Sequence, residues 1–405
     1  MTRLTKVTTL ATTIVQQMTD IGQCQLRFLL PLFTLWLSIR GRYNFRNISR
    51  YSTLAEQTYA HNFSQDFDWL DFNVRLVQQA LSTDCIIALD PSFITKSGKC
   101  SAGVGKYWSG AAGMTKWGQE FTGLAAVDLT DNTALHLEAV QTVLEEEDNL
   151  LSYYARIITQ RAEALLTVSQ YIVCDAYFAK ASFVDQLTQA GFEVITRLRQ
   201  DQALRYYYHG VQRRGAGRPK TYDGKVDPTN LRTDLFTPCA VADDASWRAF
   251  EAVVHVNAWQ RAARVVIIHR YNKFGKRTGY TILVSTDVHL SGGEIVLAYK
   301  ARFQQEFLFR DAKQELGLED CQAYTQNKIN FHLNVSLTVG SLAKVAHHLG
   351  EQDETDRPFS IADIKTRYVN EYFALRIIHR SGLDSDEGII PGLIDEIKTW
   401  GLRRA

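Results

Sequence analysis

No Cys-x-x-Cys pair occurs anywhere in the 405 residues; the six cysteines, at positions 24, 85, 100, 174, 239 and 321, are scattered singly. That scatter excludes a cysteine-rich zinc site and a disulfide framework, and it fits a reducing cytoplasm. Long apolar runs are missing as well. Phe28 to Ile39 is interrupted by Pro31, and at about twelve residues it falls short of a bilayer span and suits a buried helix. It begins late and no small-residue cleavage site follows it, so neither an export signal nor a membrane partner is expected. A nucleotide-binding loop is also absent. Before Gly105-Lys106 the first motif glycine is replaced by Cys100, and Tyr107 stands where Ser or Thr is required, so no nucleotide cofactor is expected. There is no histidine-rich motif, internal repeat or low-complexity stretch.

Net charge is nearly absent too, at +1, but its distribution is uneven. Residues 1 to 50 hold seven Lys or Arg against Asp20 alone, and residues 196 to 225 hold eight against Asp201 and Asp223. Compensating acid lies in Glu145 to Asp148 and between Glu351 and Asp356. Basic patches on a neutral chain point to a polyanion met at defined places, although any single patch is equally explained as solvated surface.

The pattern along the chain predicts an α/β protein with helical ends. Residues 1 to about 80 read as helices broken near Gly41 and around Ser64 to Asp68. Within them Asn47 to Phe63 has the outline of a helix-turn-helix, an outline that ordinary packing also produces. The run Cys85-Ile-Ile-Ala-Leu-Asp90 suits a strand buried on both faces and closing on a carboxylate. Tyr171-Ile-Val-Cys-Asp175 repeats that design. Between them Phe121 to Leu129 and Ala134 to Thr142 read as strands joined at Asp131-Asn132, and Leu144 to Leu166 as a helix. A helix from about Ala179 to Ala190 and a strand from Phe192 to Leu198 follow. From Arg199 to Ser291 the character changes, with a basic loop at Gly215 to Lys220 and three strand-like runs, 249–256, 263–271 and 280–286. The last two runs are joined by a turn at Lys273 to Lys276. Phe331 to His348 is an apolar helix, and two amphipathic helices follow the acidic linker.

From Tyr299 to Lys313 the sequence places Tyr299, Arg302, Glu306 and Lys313 at intervals of three, four and seven. On one helix these four side chains fall within about 60° of one another, opposite Leu297, Ala301, Leu308 and Ala312. A carboxylate flanked by two cations and a phenol suits a phosphate substrate; Arg302 and Glu306 are also a simple i,i+4 salt-bridge pair. Asp90 and Asp175, expected at the ends of adjacent strands, add two carboxylates. Such a set could bridge two ions roughly 4 Å apart, with Glu306 from a facing helix as the third ligand. Magnesium needs only oxygen donors and completes its shell with water and phosphate.

On these residues the chain resembles the cut-and-paste DDE transposases of bacterial insertion sequences, the insertion-sequence-four type, whose signature is the tetrad Tyr, Arg, Glu, Lys. The resemblance covers roughly Asp84 to Gln322. It implies a ribonuclease-H-like catalytic core interrupted by a mostly β insertion, with helical N- and C-terminal regions. The implied division is 1–80 helical and DNA-binding, 81–200 and 294–350 the two parts of the core, 201–293 the insertion, and 351–405 a helical region suited to dimerisation. Asp90, Asp175 and Glu306 would then be the catalytic, metal-binding triad for two Mg2+ ions, with Mn2+ able to replace them. Tyr299, Arg302 and Lys313 would hold phosphates, and Phe303 would stack a flipped base, with Trp247 or Trp259 as a second stacker. From its own residues the acid-free stretch from Lys96 to Gly118, rich in glycine and lysine and including Lys106, suits either contact with DNA phosphates or a glycine-rich β connection. Arg218 and Lys220 in the basic loop would contact DNA. The partners implied are double-stranded transposon ends and target DNA, met by a homodimer at the bacterial nucleoid in the cytoplasm. The implied activity is end cleavage, through a hairpin in many such proteins, followed by strand transfer. A domesticated DNA-binding protein without catalysis and a non-transposing nuclease are the alternatives.

Overall fold

A computed structural model describes residues 3–98, 100–145, 148–212, 215, 218–239, 246–349 and 358–403. Lys99, most of the basic loop before Arg218, Glu146, Glu147 and the acidic linker, all singled out in the sequence, lie outside the described residues.

Five helices open the chain: α1 (Arg3–Val15), α2 (Gln23–Ser38), α3 (Phe45–Arg50), α4 (Glu56–Asn62) and α5 (Trp69–Ala80). The Pro31-containing run is the buried face of α2, where Phe28, Leu29, Leu32, Phe33 and Trp36 are nearly inaccessible. The helix-turn-helix outline falls on α3 and α4, which have 6 and 7 residues, and Ile48, Tyr59 and Phe63 of that stretch are buried.

The apolar runs form strands of one mixed sheet: β1 (Cys85–Thr95), β2 (Gly105–Ser109), β3 (Met114–Asp128), β4 (Thr133–Gln141), β5 (Tyr171–Val173) and β6 (Glu193–Leu198). β1 is central. It pairs antiparallel with β3 on one side and parallel with β5 on the other, and β5 runs parallel to β6. The turn between β3 and β4 places Asn132 at φ 48, a left-handed conformation that Asn tolerates. Helices α6 (Leu150–Thr159), α7 (Ala162–Leu166) and α8 (Ala181–Gln189) connect the parallel strands. The single helix expected over Leu144 to Leu166 is therefore two. It starts at the capping box of Asn149 and Ser152 and breaks at Gln160-Arg161, where Arg161 is drawn to Glu138 of β4.

The region after β6 is mostly β, as expected: β7 (Leu204–Tyr207), β8 (Tyr222–Lys225), β9 (Thr237–Pro238), β10 (Trp247–Val256), β11 (Arg261–Tyr271) and β12 (Arg277–Ser285). These strands do not form a separate sheet. β12 pairs with β6, giving the order β2-β3-β1-β5-β6-β12-β11-β10-β7-β8, with β4 on β3 and β9 on β10. The turn at Lys273 to Lys276 is present, with Gly275 at φ 72.

Among the described residues five helices follow: α9 (Gly292–Ala301), α10 (Gln304–Glu315), α11 (Gln326–His348), α12 (Ile361–Arg380) and α13 (Ile390–Lys398). α11 was expected to be simply apolar, yet Asn334, Ser336, Thr338 and Ser341 are among its buried residues. Asn334 and Ser341 cover the open edge of β4. Asn334 Oδ1 accepts from Ala139 N at 2.8 Å while its Nδ2 donates to Ala139 O at 2.7 Å, and Ser341 Oγ accepts from His136 N at 2.9 Å. Asn73 of α5 donates to Leu137 O on the same edge. An edge strand buried without such partners would leave each backbone group unpaired, at about 1–3 kcal/mol apiece. None of the described helices is long and apolar enough to cross a membrane.

Candidate active site

Ala88 of β1 stands beside Val173 of β5 in parallel register, and beyond that pair the two strands separate. Asp90 and Asp175 each lie two residues past it, so the register itself brings the two carboxylates to one place. Asp90 does not end its strand, as the sequence suggested. β1 continues to Thr95 because β3 keeps pairing with it, Asp90 opposite Gly123 and Pro91 opposite Thr122. Asp175 leaves β5 in extended conformation and caps a short turn of 3-10 helix, its Oδ1 accepting from Tyr177 N at 2.8 Å.

The third carboxylate arrives on α10, and here the single helix expected from Tyr299 to Lys313 is corrected. α9 begins at a capping box formed by Ser291 and Glu294 and stops at Ala301. Across the break Phe303 N bonds Lys300 O, Gln305 N bonds Arg302 O and Glu306 N bonds Phe303 O. These three-residue bonds tighten the turn and re-aim the chain without leaving helical dihedrals. Consequently the four-residue stripe is split. Leu297, expected inward, is 47 % exposed, whereas Ala301, Leu308 and Ala312 are buried as expected.

Both ends of α10 are fixed. Gln305 Nε2 donates to Gly123 O at 2.8 Å, and Phe309 packs edge-on to Phe121 with ring centroids 5.3 Å apart. At the far end Gly317 takes φ +66, where a side chain would strike the Tyr43 ring. The carbonyls left over there are taken by Tyr43 Oη and Lys365 Nζ at Glu315, by Trp36 Nε1 at Leu316 and by His332 Nε2 at Gly317. The N-terminal helices thus help to hold Glu306 on the sheet.

Asp90, Asp175, Glu306, Arg302 and Lys313 line one cleft of about 1090 Å³. Arg302 reaches both neighbours, with Nη1 3.6 Å from Asp90 Oδ1 and Nη2 3.2 Å from Glu306 Oε1. Its side chain is 14 % exposed, and Nε and Nη1 are buried without a hydrogen-bond acceptor among the described residues. Burial pushes Asp90 up to about 7; Arg302 pulls it back down, and Asp175, Glu306 and Glu120 push it further up. Lys313 Nζ donates to Phe93 O at 2.9 Å, and burial lowers its pKa against the pull of Glu319.

Tyr299, on α9, is not among the cleft's lining residues and packs beside the apolar cluster around Ile295 and Ala298. Phe303 is 49 % exposed, packs edge-on to Phe307 and also stands outside the lining. Of the two proposed second stackers, Trp259 is buried with its Nε1 bonded to Ala179 O, and Trp247 lies under Lys300 Nζ. Lys106 sits on β2 at one edge of the sheet, while Arg218 and Lys220 precede β8 at the other. Lys220 is paired with Asp223 at 2.6 Å. Lys96 is turned inward to the carbonyl of Cys321.

Sequence reasoning missed Glu120 and Arg310, which line the cleft together with Trp108 and Lys116 of the acid-free stretch. Glu120, on β3, accepts from Tyr154 Oη at 2.5 Å and Thr142 Oγ1 at 3.1 Å, and burial raises its pKa. A carboxylate inside the run Gly118 to Leu124 was the available signal, since nothing but a polar pocket explains it there.

Oxygen-only donors fit a hard divalent cation, which prefers carboxylate and water. Among the described residues, however, no three His, Cys, Asp or Glu side chains are grouped tightly enough to hold one ion; Arg302 lies between Asp90 and Glu306. Cations and carboxylates facing one groove are what phosphodiester chemistry uses: one set meets phosphate oxygens, the other a metal.

A site of that kind on a mixed sheet flanked by helices suits phosphoryl transfer. A family model described as a transposase DDE domain matches residues 81–339, well over half of the chain, and the chain belongs to that family. It is therefore a transposase, of a family that cuts and rejoins nucleic-acid strands, binds DNA and generally uses divalent metal ions. No curated protein matches the chain.

The close approach at Gly123 is testable. A Cβ there would lie 2.5 Å from Phe309 Cζ. Gly123→Ala is expected to push α10 off β3, lowering DNA cleavage roughly tenfold or more and stability by about 1–3 kcal/mol. Adding Phe309→Leu, which removes the ring atoms that a Cβ at position 123 would meet, should restore most of both. Failure of the double variant to recover cleavage would show that α10 is not positioned through this contact.

Proposed function

We propose that this transposase works by cut-and-paste, with Asp90, Asp175 and Glu306 as its metal-binding catalytic triad. The observation that carries the reading is the convergence of three carboxylates from β1, the end of β5 and α10 on one cleft, with Arg302 and Lys313 beside them. Those three side chains would hold two Mg2+ ions. A bound divalent ion would supply a deprotonated water or 3′-hydroxyl as nucleophile and neutralise charge on the scissile phosphate. Arg302, which lines the cleft with Nη2 on Glu306 and Nη1 beside Asp90, would exchange a carboxylate for a phosphate oxygen and orient it. Lys313 holds α10 to β1 through Phe93 O and lends positive charge at the cleft wall.

The strand order β4-β3-β1-β5-β6 supports a ribonuclease-H-like core. β7 to β12, interposed between β6 and α9, support an insertion at 201–293 that continues the same sheet, with core parts at 81–200 and 294–350. The spacing of Tyr299, Arg302, Glu306 and Lys313 supports the insertion-sequence-four type. Phe303, open to solvent beside Arg302, is this reading's base-stacking residue if a DNA hairpin forms. Residues 1–80 and 351–405 are assigned to end binding and to a dimer that pairs two transposon ends.

The test is a duplex carrying the DNA that flanks this gene, incubated with the full chain and Mg2+. Expected are nicks with a free 3′-hydroxyl at one position of an inverted repeat, then joining of that end to a second duplex, both stopped by chelation. Binding without cleavage would favour a non-catalytic DNA-binding protein; cleavage without joining would favour a nuclease.

A further inference from the structure

The β2–β3 hairpin turns both of its tryptophans the wrong way for a core. Lys106 stands opposite Trp117 and Trp108 opposite Thr115, so these four share one face of the ribbon. That face is open: Trp108 is 61 % and Trp117 54 % exposed. The opposite face carries Tyr107, which is buried and donates to Gly103 O at 3.1 Å. Trp36 and Trp259 show what an indole does in this fold when it serves packing: each is buried and donates to a carbonyl. Trp108 and Trp117 do neither, and among the described residues neither stacks on another ring.

The surroundings indicate an occupant. Trp108 of this face borders the cleft that holds Asp90 and Glu306, so the open face meets that groove at its Trp108 end. From Lys96 to Gly118 the sequence contains no Asp or Glu. β2 is the last strand of the sheet, and its outer edge has no partner strand among the described residues. The ribbon's base is anchored, with Gln119 Nε2 donating to Ala102 O at 2.7 Å and Ala102 N to Tyr324 O at 2.9 Å, so the rings are presented from a fixed support. Two indole faces flanking a lysine, acid-free and continuous with a phosphate-binding groove, match the chemistry of a single nucleic-acid strand: bases stack and the backbone pairs with cations. Duplex DNA offers no free base faces to such a surface.

We propose that Trp108, Lys106 and Trp117 form a stacking platform for an unpaired DNA strand at the mouth of the cleft. This rests on reading the cleft as the DNA-cleaving site. The platform holds a strand separated next to the cut and keeps it from re-pairing.

The test measures binding of a fluorescently labelled, mixed-sequence single-stranded oligonucleotide and of the blunt duplex to the full chain without divalent metal. Trp108→Ala and Trp117→Ala are each expected to weaken single-strand binding roughly tenfold while changing duplex binding less than about threefold. Trp108→Phe should recover most of the loss, and Lys106→Ala should reduce the salt dependence of single-strand binding by about one ion. Circular dichroism checks that the variants fold. Absence of single-strand binding by the native chain, or unchanged affinity in the double Trp variant, would overturn the platform. So would a change in sedimentation of the double variant, which would make this face a contact between copies of the chain. Glu306→Gln separates the two readings: its cleavage of the flanking duplex with Mg2+ would count against the triad, whereas its affinity for the single-stranded oligonucleotide without metal reports only on the platform.

Discussion

Glu306→Gln will abolish cleavage of the terminal duplex, by about 10³-fold or more, and leave binding of the same duplex within about twofold. Gln keeps the volume and one acceptor oxygen, so α10 retains its contacts with β3 and its fixed far end. The negative charge alone is removed. A loss of that size corresponds to about 4 kcal/mol of transition-state stabilisation, the scale expected when a carboxylate that organises a hard cation is neutralised. Single-turnover cleavage and an electrophoretic binding assay on one preparation give both numbers. Retained cleavage would refute the triad; lost binding with lost cleavage would mean that Glu306 shapes the DNA surface instead. The contact of Glu306 with Arg302, 3.2 Å apart, makes the second outcome worth measuring.

Arg302→Ala is expected to have the next largest effect, lowering cleavage about 10²-fold or more. Arg302 lies between two carboxylates at the cleft wall, where its charge offsets that of Asp90 and Glu306 and can meet an incoming phosphate. The arginine's planar fork matches two phosphate oxygens, and lysine cannot reproduce it. Arg302→Lys should therefore recover part of the binding and little of the rate, with a salt slope close to native. If Arg302→Ala cleaves at the native rate, the residue is only a bridge between Asp90 and Glu306. Thermal denaturation distinguishes a local effect from a general loss of folding, because removing the cation leaves Asp90, Asp175 and Glu306 to repel one another.

Much of this was legible in the chain. The buried strands β1 and β5 announced themselves as unbroken apolar runs, and the carboxylates that close them were visible for the same reason: a charge after a buried run has to emerge into solvent or a site. The spacing of Arg302, Glu306 and Lys313 also carried through, since all three line the cleft. The stripe as a whole did not. Tyr299 precedes a tightened turn that holds Arg302 and Phe303, and no local residue signals that turn, whose far side is fixed where Gln305 bonds Gly123 O and Phe309 packs on Phe121. Glu120 went unseen because its partner Tyr154 is 34 residues away in the chain.

The sequence by itself determined the alternation of buried strands and helices, the positions of Asp90 and Asp175 at the ends of apolar runs, and the helical interval between Arg302 and Glu306. These depend on local periodicity and on burial, which neighbouring residues encode. The tertiary structure alone decided that Asp90 and Asp175 share a register, that α10 lies across β3 at a glycine, and that the later strands extend the same sheet. It also decided that Trp108 and Trp117 face outward. Each of these depends on pairing and packing between residues far apart in the chain, where the free energy belongs to the contact and neither partner's sequence specifies it.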